Sequence, residues 1–495
     1  MAFPQAHRQG SCMQNPMRAR RLAVASSFAL LLATAAPLPV SAADGTWVPT
    51  AAGTYSWDTP GNWSLNTVAD GAGFTSTFGS GATGTQTITL DNSHFIGNLA
   101  FSVHGWKIQG PGTLTLSSGI TPTISVAGPG ATIDAVIAGT QGFTSTGLLT
   151  LGGNNSYTGL TTVSTGTVIL NHNNALGGTA DGTSVTSGAQ VTVSNGITVT
   201  GETITLAGGG NGGVNGALVA NGTAEWAGGV RLNGTSTRIG TLNNTSLLTI
   251  SGVIANGTGS NLYISGFGTT VLSGDNTYTG LTHIYRGTLK LDAGNNRLPT
   301  GTALTLGGTA DNSTFDLNGW SQTVASIETG TNTSTRTVTN SSATTSTLTV
   351  NQTTGTKTFD GVVSGKINLI KSGAGILNLT GTTNTFSGNI TVNGGTLGIA
   401  NAFISNTADV SIASGAIFAL SFSGTDTIGT LTLAGIAQQT GTYGALGSGA
   451  QFESSFFSGT GLLNVSTFAI PEPSTFAALA GLATAAFAIR RRRSA

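Results

Sequence analysis

Short runs of alternating apolar and polar residues recur along the middle of the chain. Thr113-Leu114-Thr115-Leu116 and Thr288-Leu289-Lys290-Leu291 are examples, and this period of two is typical of a half-buried β-strand. The runs stop at Gly or Asn, residues that tolerate the positive φ angles of tight corners. The pattern therefore predicts a chain built almost entirely of short strands and turns.

Three segments of this middle region align with one another. Each has an apolar strand, an Asn-containing corner with an aromatic residue and a Gly, and a second strand that begins with Gly-Thr. Their first strands lie near Leu148, Val271 and Ile376. Each copy also has an upstream partner, and these partners are Val136-Ile137-Ala138-Gly139, Val253-Ile254-Ala255-Asn256-Gly257 and Val362-Val363-Ser364-Gly365. The unit is about 35 to 40 residues long.

One such strand cannot bury its apolar face alone, whereas stacked coils bury a continuous core. We therefore predict an all-β fold, a right-handed parallel β-helix (β-solenoid) over residues 44–467, with coils of about 20 to 25 residues. Tandem β-sandwiches are the alternative. They are disfavoured because no linker rich in Pro or charge interrupts this long body.

Composition supports the same class. The 495 residues include 75 Gly but only 12 Pro without a strict third-position period, which excludes collagen. Charged residues make up 7% and apolar residues 38%, unlike a disordered chain. Residues 44–470 hold 5 Lys and 5 Arg against 13 Asp and 4 Glu, a net charge of −7. A nucleic-acid partner is therefore not expected.

The N-terminal residues 1–43 have the pattern of a secretory signal peptide. Arg20 and Arg21 precede an apolar stretch from Leu22 to about Ala36, and Ser41-Ala42-Ala43 offers a cleavage site. An uncleaved membrane anchor is the alternative. The single cysteine, Cys12, would leave with the signal, so no disulfide is expected in the mature chain.

The C-terminal residues 468–495 have the pattern of a second targeting signal. Pro471, Glu472 and Pro473 precede residues 474–489, which contain no charge and predict a short transmembrane helix of about 24 Å. Arg490, Arg491, Arg492 and Arg493 follow directly. The arginines would stay on the cytoplasmic side and place the body outside.

This three-part arrangement resembles the PEP-CTERM sorting signal of Gram-negative bacteria. The resemblance covers about the last 26 residues and implies recognition by an exosortase, a membrane protease-transferase, with processing near Pro471-Glu472-Pro473. A plain C-terminal anchor is the alternative.

The internal repeats resemble the autotransporter-associated β-strand repeat. The matching segments are Asn154 to Gly159, Asp275 to Gly280 and, more loosely, Asn384 to Gly388. The sequence departs from that pattern at Leu160, Leu281 and Asn389, where a second Gly is usual. The resemblance implies a β-helical exported passenger. It does not imply self-export, because the C-terminus ends in arginines rather than in the strands of a barrel.

Both ends of the predicted solenoid are expected to carry caps. Trp47, Trp57 and Trp63 lie close together in sequence, and we interpret them as an N-terminal cap. A carbohydrate-stacking surface is the alternative for these tryptophans. Gly441 to Gly444 and Phe456 to Val465 are expected to form the C-terminal cap.

The sequence contains few residues that suggest a catalytic or metal-binding site. The chain lacks the His-Glu-x-x-His, Gly-x-Ser-x-Gly and Walker A patterns. Its body histidines, at positions 94, 104, 172 and 283, are too scattered to propose a metal site, and no cofactor is predicted. The Gly-rich stretch Gly208 to Gly216 is similar to calcium-binding β-roll repeats, but Val214 occupies the required Asp position. Asp311 and Asp316 form the nearest dense acidic pair, which we interpret as part of a solvated turn.

We therefore predict an exported, non-enzymatic structural or adhesion protein of the cell surface or extracellular matrix of a Gram-negative bacterium. Its expected partners are an exosortase, the membrane through residues 474–489 before processing, and an exopolysaccharide or other surface polymer. The alternative is a carbohydrate-active β-helix enzyme, a lyase or hydrolase, with carboxylates converging on one groove.

Overall fold

The computed structural model describes residues 42–467, except for residues 80, 104, 214, 257–259, 309 and 332–333. This part of the chain is a parallel β-solenoid of about 16 turns, which confirms the predicted all-β class. Its helical segments are single 3-10 turns at Pro60–Asn62, Ser64–Asn66 and Asn211–Gly213. The predicted transmembrane helix at 474–489 lies outside the described residues.

Two large sheets make up most of the first two thirds of the stack. The 12-stranded sheet contains Gly45–Thr46, Gly71–Phe78, His94–Phe101, Thr113–Leu116, Thr123–Val126, Val136–Ala138, Phe143–Thr146, Thr161–Val163, Thr183–Val185, Ile204–Leu206, Val230–Leu232 and Ile254–Asn256. The 13-stranded sheet contains Gly53–Ser56, Gln86–Thr89, Trp106–Gln109, Ala131–Ile133, Leu148–Leu151, Gly166–Leu170, Ala189–Ser194, Leu218–Asn221, Thr237–Thr241, Leu262–Gly266, Thr282–Ile284, Ala303–Leu306 and Ser326–Thr329.

Four smaller sheets complete the stack. The 9-stranded sheet contains Thr198–Val199, Thr223–Trp226, Leu247–Ile250, Thr269–Leu272, Gly287–Leu291, Ser313–Asp316, Arg336–Asn340, Val362–Gly365 and Thr385–Phe386. The 7-stranded sheet contains Gln322–Val324, Ser346–Asn351, Ile367–Ser372, Ile390–Val392, Val410–Ile412, Leu431–Leu433 and Ile436–Ala437. The 5-stranded sheet contains Thr356–Phe359, Ile376–Leu379, Thr396–Ile399, Ile417–Leu420 and Phe457–Gly459. The 4-stranded sheet contains Thr425–Ile428, Gly441–Gly444, Phe452–Glu453 and Leu462–Val465.

Successive coils stack in register, so that one buried apolar residue lies upon another. Leu149 pairs with Val168, Val168 with Val191, and Val191 with Leu218, and all four side chains are buried. These offsets of 19, 23 and 27 residues show that coil length varies more widely than the predicted 20 to 25. Corner segments of different length absorb the variation, while the strands keep the inward row continuous.

The predicted alternation is present within the strands. In Thr113–Leu116 the two leucines are buried and the two threonines are half-buried. Threonine on the outer side suits strand geometry because its branched side chain packs well on a pleated surface. The low charge of the body follows from this arrangement, since outward positions are filled mainly by uncharged polar residues.

Each repeat copy winds once around the solenoid. In the first copy Leu148–Leu151 pairs directly with Gly166–Leu170, its own second strand. The corresponding strand pairs of the second and third copies lie in the 9-stranded and 5-stranded sheets. The three copies therefore lie on different sheets and do not stack upon one another.

The three N-terminal tryptophans are buried against each other. The ring centroids of Trp47 and Trp63 are 4.9 Å apart, and those of Trp57 and Trp63 are 4.8 Å apart. Phe78 packs 5.8 Å from Trp57 and stacks on Phe101, which continues the aromatic core into the next coil. Because the indole rings are in the core, they offer no surface on which a sugar could stack.

Antiparallel pairs appear after residue 431, although Phe457–Gly459 and Leu462–Val465 still pair in parallel with earlier strands. Leu431–Leu433 pairs with Ile436–Ala437 in antiparallel fashion, and Gly441–Gly444 pairs with Leu462–Val465 in the same way. Tyr443 stacks on Phe452 with ring centroids 4.8 Å apart. This change of direction interrupts the parallel edge that another strand could extend.

Candidate functional site

The sequence-predicted sorting residues cannot be placed in this fold. Pro471, Glu472, Pro473 and the four arginines Arg490, Arg491, Arg492 and Arg493 lie outside the described residues. Within the part of the chain that the structure describes, no helix is both long and apolar enough to cross a bilayer.

A buried asparagine in the corner of each repeat bonds neighbouring coils together. In the first copy Asn155 Oδ1 accepts the N–H of Ile137 at 2.8 Å, and Asn155 Nδ2 donates to the carbonyl of Ala175 at 2.6 Å. One side chain thus satisfies two backbone groups that are 18 residues before it and 20 residues after it. Such groups would otherwise be buried without partners.

The second copy has the same pair of hydrogen bonds from a corner asparagine to two neighbouring coils, an arrangement that we call the clamp. Asn276 Oδ1 accepts from the N–H of Ile254 at 2.7 Å, and Asn276 Nδ2 donates to the carbonyl of Arg297 at 2.8 Å. Ile137 and Ile254 belong to the two upstream segments that the sequence comparison paired with the repeats. Their link to the repeat is therefore a hydrogen bond from the backbone to the corner asparagine.

The third copy retains half of the clamp between coils. Asn384 Oδ1 accepts from the N–H of Val363 at 2.7 Å, but Asn384 Nδ2 donates to Gly381 within the same corner. This copy carries one extra residue before its aromatic position. The longer corner accompanies the change of carbonyl partner.

A buried hydroxyl pair follows the asparagine in the first two copies. Tyr157 and Thr161 are 2.7 Å apart at their oxygens, and Tyr278 and Thr282 are 2.6 Å apart. Burial raises the pKa of both tyrosines far above its ordinary value, although the threonine hydrogen bonds lower it. Both phenols therefore stay protonated and act as fixed hydrogen-bonding groups.

The third copy replaces both hydroxyls together. Phe386 and Ile390 occupy the corresponding positions, and both are buried. A buried hydroxyl is costly when its partner is removed, whereas replacing both partners by apolar groups is nearly neutral. Because the third copy lacks both hydroxyls, neither is left buried without a hydrogen-bond partner.

Glu202 is a buried carboxyl group beside the first repeat. It is 2% exposed, and its Oε1 accepts a hydrogen bond from Thr183 at 2.6 Å. Its Oε2 has no hydrogen-bond partner among the described residues. Burial raises the pKa of Glu202 to about 7, although the bond from Thr183 lowers it. No sequence motif marks this residue.

We expect Glu202 to make stability depend on pH. A carboxyl group whose pKa is raised on folding stabilises the fold at low pH, and that contribution is lost as the pH rises through about 7. Glu202→Gln should therefore gain stability relative to the native chain by ~1–3 kcal/mol between pH 5 and pH 8. Thermal unfolding at both pH values measures this difference.

Glu225→Gln is the matched control for that experiment. Glu225 is half-buried and accepts a hydrogen bond from Ser251 at 2.5 Å. Because Glu225 is less buried than Glu202, the effect of its substitution on the thermal midpoint should differ less between the two pH values than that of Glu202→Gln. A Glu202→Gln variant that behaves in the same way would contradict the assignment.

A second titratable cluster joins the N-terminal coils. His94 Nε2 is 2.9 Å from Asp58 Oδ1, and His94 Nδ1 is 3.3 Å from Asp70 Oδ2. Burial lowers the pKa of His94, but the hydrogen bonds and charges of both aspartates outweigh it, so the pKa lies above its ordinary value. The result is a buried link between coils that joins one imidazole to two carboxyl groups, and the imidazole also packs 5.5 Å from the Trp57 ring.

Lys371 is a buried cation held by backbone oxygens. Its Nζ donates to the carbonyls of Ser372 at 2.7 Å, Gly373 at 2.9 Å and Gly394 at 3.2 Å. Burial lowers the pKa of Lys371 to about 8. The ammonium group thus stabilises the turns of two coils without a carboxylate.

Asp311 and Asp316, the acidic pair noted in the sequence, contact different partners. Asp311 forms an ion pair with Arg286 at 3.5 Å. Asp316 accepts a 2.7 Å hydrogen bond from the Ser341 hydroxyl and lies 3.9 Å from the Lys290 ammonium. Each carboxylate is therefore engaged in its own contact, and the pair does not face one shared cleft.

The Gly-rich stretch forms a loop over the outer side of the 13-stranded sheet. Asn211 Nδ2 donates to Thr167 Oγ1 at 3.2 Å, and Asn215 Oδ1 accepts from Arg286 at 2.6 Å. No cluster of three or more His, Cys, Asp or Glu side chains that could hold a metal ion occurs in the described ranges.

Four side chains beyond that loop form a compact surface cluster. Arg238 pairs in register with Tyr263, and Tyr263 with His283. The ring centroids of Tyr263 and His283 are 5.2 Å apart, and those of His283 and Tyr285 are 5.6 Å apart. The Arg238 guanidinium lies 4.3 Å from the Tyr285 ring centroid and 5.8 Å from that of Tyr263. We name these four residues the aromatic–arginine patch.

His283 is a neutral member of this patch. Its Nε2 lies 2.9 Å from the carbonyl oxygen of Gly307, and because a carbonyl only accepts, this nitrogen carries the hydrogen. Burial and the charge of Arg238 lower the pKa of His283, although the bond to Gly307 and the charge of Glu328 raise it. A neutral imidazole suits close contact with the guanidinium.

An open groove adjoins the patch around the next corner. Phe267 is 47% exposed, and the Arg286 guanidinium lies 4.1 Å from its ring centroid. The groove has a volume of about 270 Å³, and its lining includes Asn244, Phe267, Thr288, Asp311, Asn312 and Thr314. Tyr285 and Arg286 are adjacent in sequence. The same corner therefore contributes Tyr285 to the patch and the Arg286 side chain that contacts the Phe267 ring beside the groove.

Comparisons with known proteins match the repeats and the C-terminus. Residues 144–170, 265–291 and 369–399 match the Passenger-associated-transport-repeat, and residues 469–493 match the PEP-CTERM protein-sorting motif. The chain therefore carries both features that the sequence indicated.

One curated relative is an autotransporter adhesin. The chain is 35% identical over 153 residues to the Adhesin BmaC autotransporter of Brucella suis biovar 1 (strain 1330). The match covers 30% of this chain and 4% of the relative, so the chain spans only a small part of that protein's length. No solved structure matches the chain.

Proposed function

We propose that the protein is an exported, adhesin-like structural protein of the cell surface or extracellular matrix. The observation that carries this proposal is the sorting motif at residues 469–493, which follows a solenoid with passenger-associated repeats. A body of net charge −7 with few apolar side chains exposed suits an aqueous exterior. The similarity to an adhesin supports the same role.

The C-terminal segment then acts as a sorting device rather than as part of the body. Residues 474–489 hold the chain in the membrane during export, and the four terminal arginines keep its end on the cytoplasmic side. An exosortase recognises Pro471-Glu472-Pro473 and separates the body from the helix. The solenoid body is the part that binds a partner, and this partner is a surface polymer such as an exopolysaccharide.

The double substitution P471A/E472A tests the sorting step. In cells that contain the exosortase, the native protein should lose both its leader and its C-terminal helix, whereas the double variant should retain the helix. Mass spectrometry of the mature protein and fractionation of the cells measure these two outcomes. The variant should be found in the membrane fraction.

Ser494→Ala is the control, because Ser494 lies beyond the matched motif. It should be processed as the native chain is. A P471A/E472A variant with the native processed mass would refute exosortase recognition.

A further inference from the structure

We propose that the aromatic–arginine patch, together with the adjoining Phe267, binds an acidic polysaccharide, a polymer of pyranose sugars that carry carboxylate groups. The inference deepens the proposed function and rests on its surface location. It is carried by the charge, the ring arrangement and the open shape of this corner of the solenoid.

Arg238 is a cation that lies against aromatic rings rather than against a carboxylate. Among the described residues, no Asp or Glu forms an ion pair with it, whereas Arg286, Arg297 and Arg336 each have a carboxylate partner. The Arg238 guanidinium instead rests between two tyrosine rings. A planar guanidinium held against aromatic rings is preorganised, and its N–H groups can donate hydrogen bonds to a carboxylate.

The aromatic rings supply the second element of sugar recognition. Aromatic residues make up only 6% of the chain, and Tyr157, Tyr278 and Tyr443 are buried. Tyr263 and Tyr285 instead lie on the outer side of the sheet. Because Arg238 lies against both rings, we expect their hydroxyl groups, rather than the covered ring faces, to bond the hydroxyl groups of a pyranose. Phe267 extends this surface around the corner.

The shape of the site favours a polymer over a small ligand. Arg238, Tyr263 and His283 occupy successive strands, which repeat at about 4.8 Å. The row leads toward the open groove beside Phe267, because Tyr285 and Arg286 belong to one corner. An extended chain can lie along such a surface, whereas a monosaccharide would remain largely in water.

The remaining body offers a polyanion no general electrostatic attraction. Residues 44–470 have a net charge of −7, so the body as a whole does not attract a carboxylated polymer. Arg238 therefore contributes local attraction that a general basic surface does not. Binding through one patch also gives a specific expectation for single substitutions.

The test uses the purified mature protein and three polymers in a binding titration. Polygalacturonate carries carboxylates on pyranose rings, dextran has the rings without the charge, and polyglutamate has the charge without the rings. The native protein should bind polygalacturonate, and should bind the other two at least about tenfold more weakly. Arg238→Gln should weaken binding to polygalacturonate roughly tenfold.

Arg231→Gln is the matched control. Arg231 is an exposed arginine on the 12-stranded sheet, and it too forms no ion pair among the residues described. Its substitution should change the affinity less than about twofold. Phe267→Ser provides a second test on an exposed side chain and should also weaken binding, and circular dichroism verifies that each variant is folded.

Several outcomes would overturn the proposal. Equal losses for Arg238→Gln and Arg231→Gln would show attraction by charge alone, and equal binding of polyglutamate would exclude sugar recognition. Equal binding of dextran would exclude the carboxylate contact, and absence of polygalacturonate binding would exclude the site. These measurements need no export, so their failure leaves the sorting proposal to be judged separately by the P471A/E472A variant.

Discussion

Replacing Asn276 by Ala should open the solenoid locally around the second repeat. The substitution removes two hydrogen bonds and leaves the N–H of Ile254 and the carbonyl of Arg297 without partners in a buried corner. Each unsatisfied buried group costs about 1–3 kcal/mol, so we expect a loss of ~2–5 kcal/mol. Because each coil of a solenoid contacts mainly its neighbours, the loss should be local.

Hydrogen exchange measures that local opening directly. Amide protection should fall in the coils that contain residues 250–300 and stay near its native level beyond residue 380. The control is Asn261→Ala. Asn261 also bonds two other coils, through the carbonyl of Thr235 at 2.9 Å and the N–H of Leu281 at 3.0 Å.

The difference between the two asparagines is access to water. Asn261 is half-buried, so water can replace its bonds, and its substitution should cost less than about 1 kcal/mol. Equal effects of Asn276→Ala and Asn261→Ala would show that the corner asparagine is not a special clamp.

Replacing Gly287 by Ala should also destabilise the solenoid strongly. Gly287 begins the second strand of the second repeat and has a φ of +75°, as its counterparts Gly166 and Gly395 have +78° and +60°. A Cβ atom at Gly287 would lie 2.5 Å from the carbonyl oxygen of Gly266 in the preceding coil. Both the backbone conformation and the distance between coils therefore exclude a side chain.

We expect a loss above about 3 kcal/mol for Gly287→Ala, since strain at positive φ alone costs roughly 1–2 kcal/mol. Gly355→Ala separates the two causes. Gly355 has a φ of +68°, but a Cβ there would meet nothing within 4 Å. Its substitution should show the strain without the collision. Thermal unfolding of both variants measures the difference, and similar losses would mean that the coils separate easily to admit a methyl group.

The strands of this fold could be predicted because their information is local. Thr113–Leu116 and Gly287–Leu291 lie where the alternation places them, and the turn glycines lie between strands. Register could not be predicted, since it depends on how much chain each corner takes up. The offset between paired residues ranges from 19 to 27 in neighbouring coils of one sheet.

The contacts between coils could not be predicted from the sequence, because they depend on this register. The sequence comparison identified Asn155 and the segment containing Ile137, yet their hydrogen bond joins residues 18 apart with no fixed spacing rule. His94 similarly meets Asp58 and Asp70 across separations of 36 and 24 residues. Only the stacking of coils brings such residues together.

The candidate binding surface depends on register in the same way. Arg238 reaches Tyr263 after 25 residues, and Tyr263 reaches His283 after 20. Nothing in the local sequence around these residues marks them as neighbours. By contrast, the sorting signal was visible because all of its parts lie in one continuous segment.

The most direct test of the central claim is the mass and location of the mature native protein in cells with and without the exosortase. With the enzyme present, we predict a chain that lacks both the leader and the C-terminal helix and is accessible to protease added outside intact cells. Without it, we predict a heavier chain that retains residues 474–489 and stays in the membrane fraction. An identical mature mass and location in both strains would contradict the account.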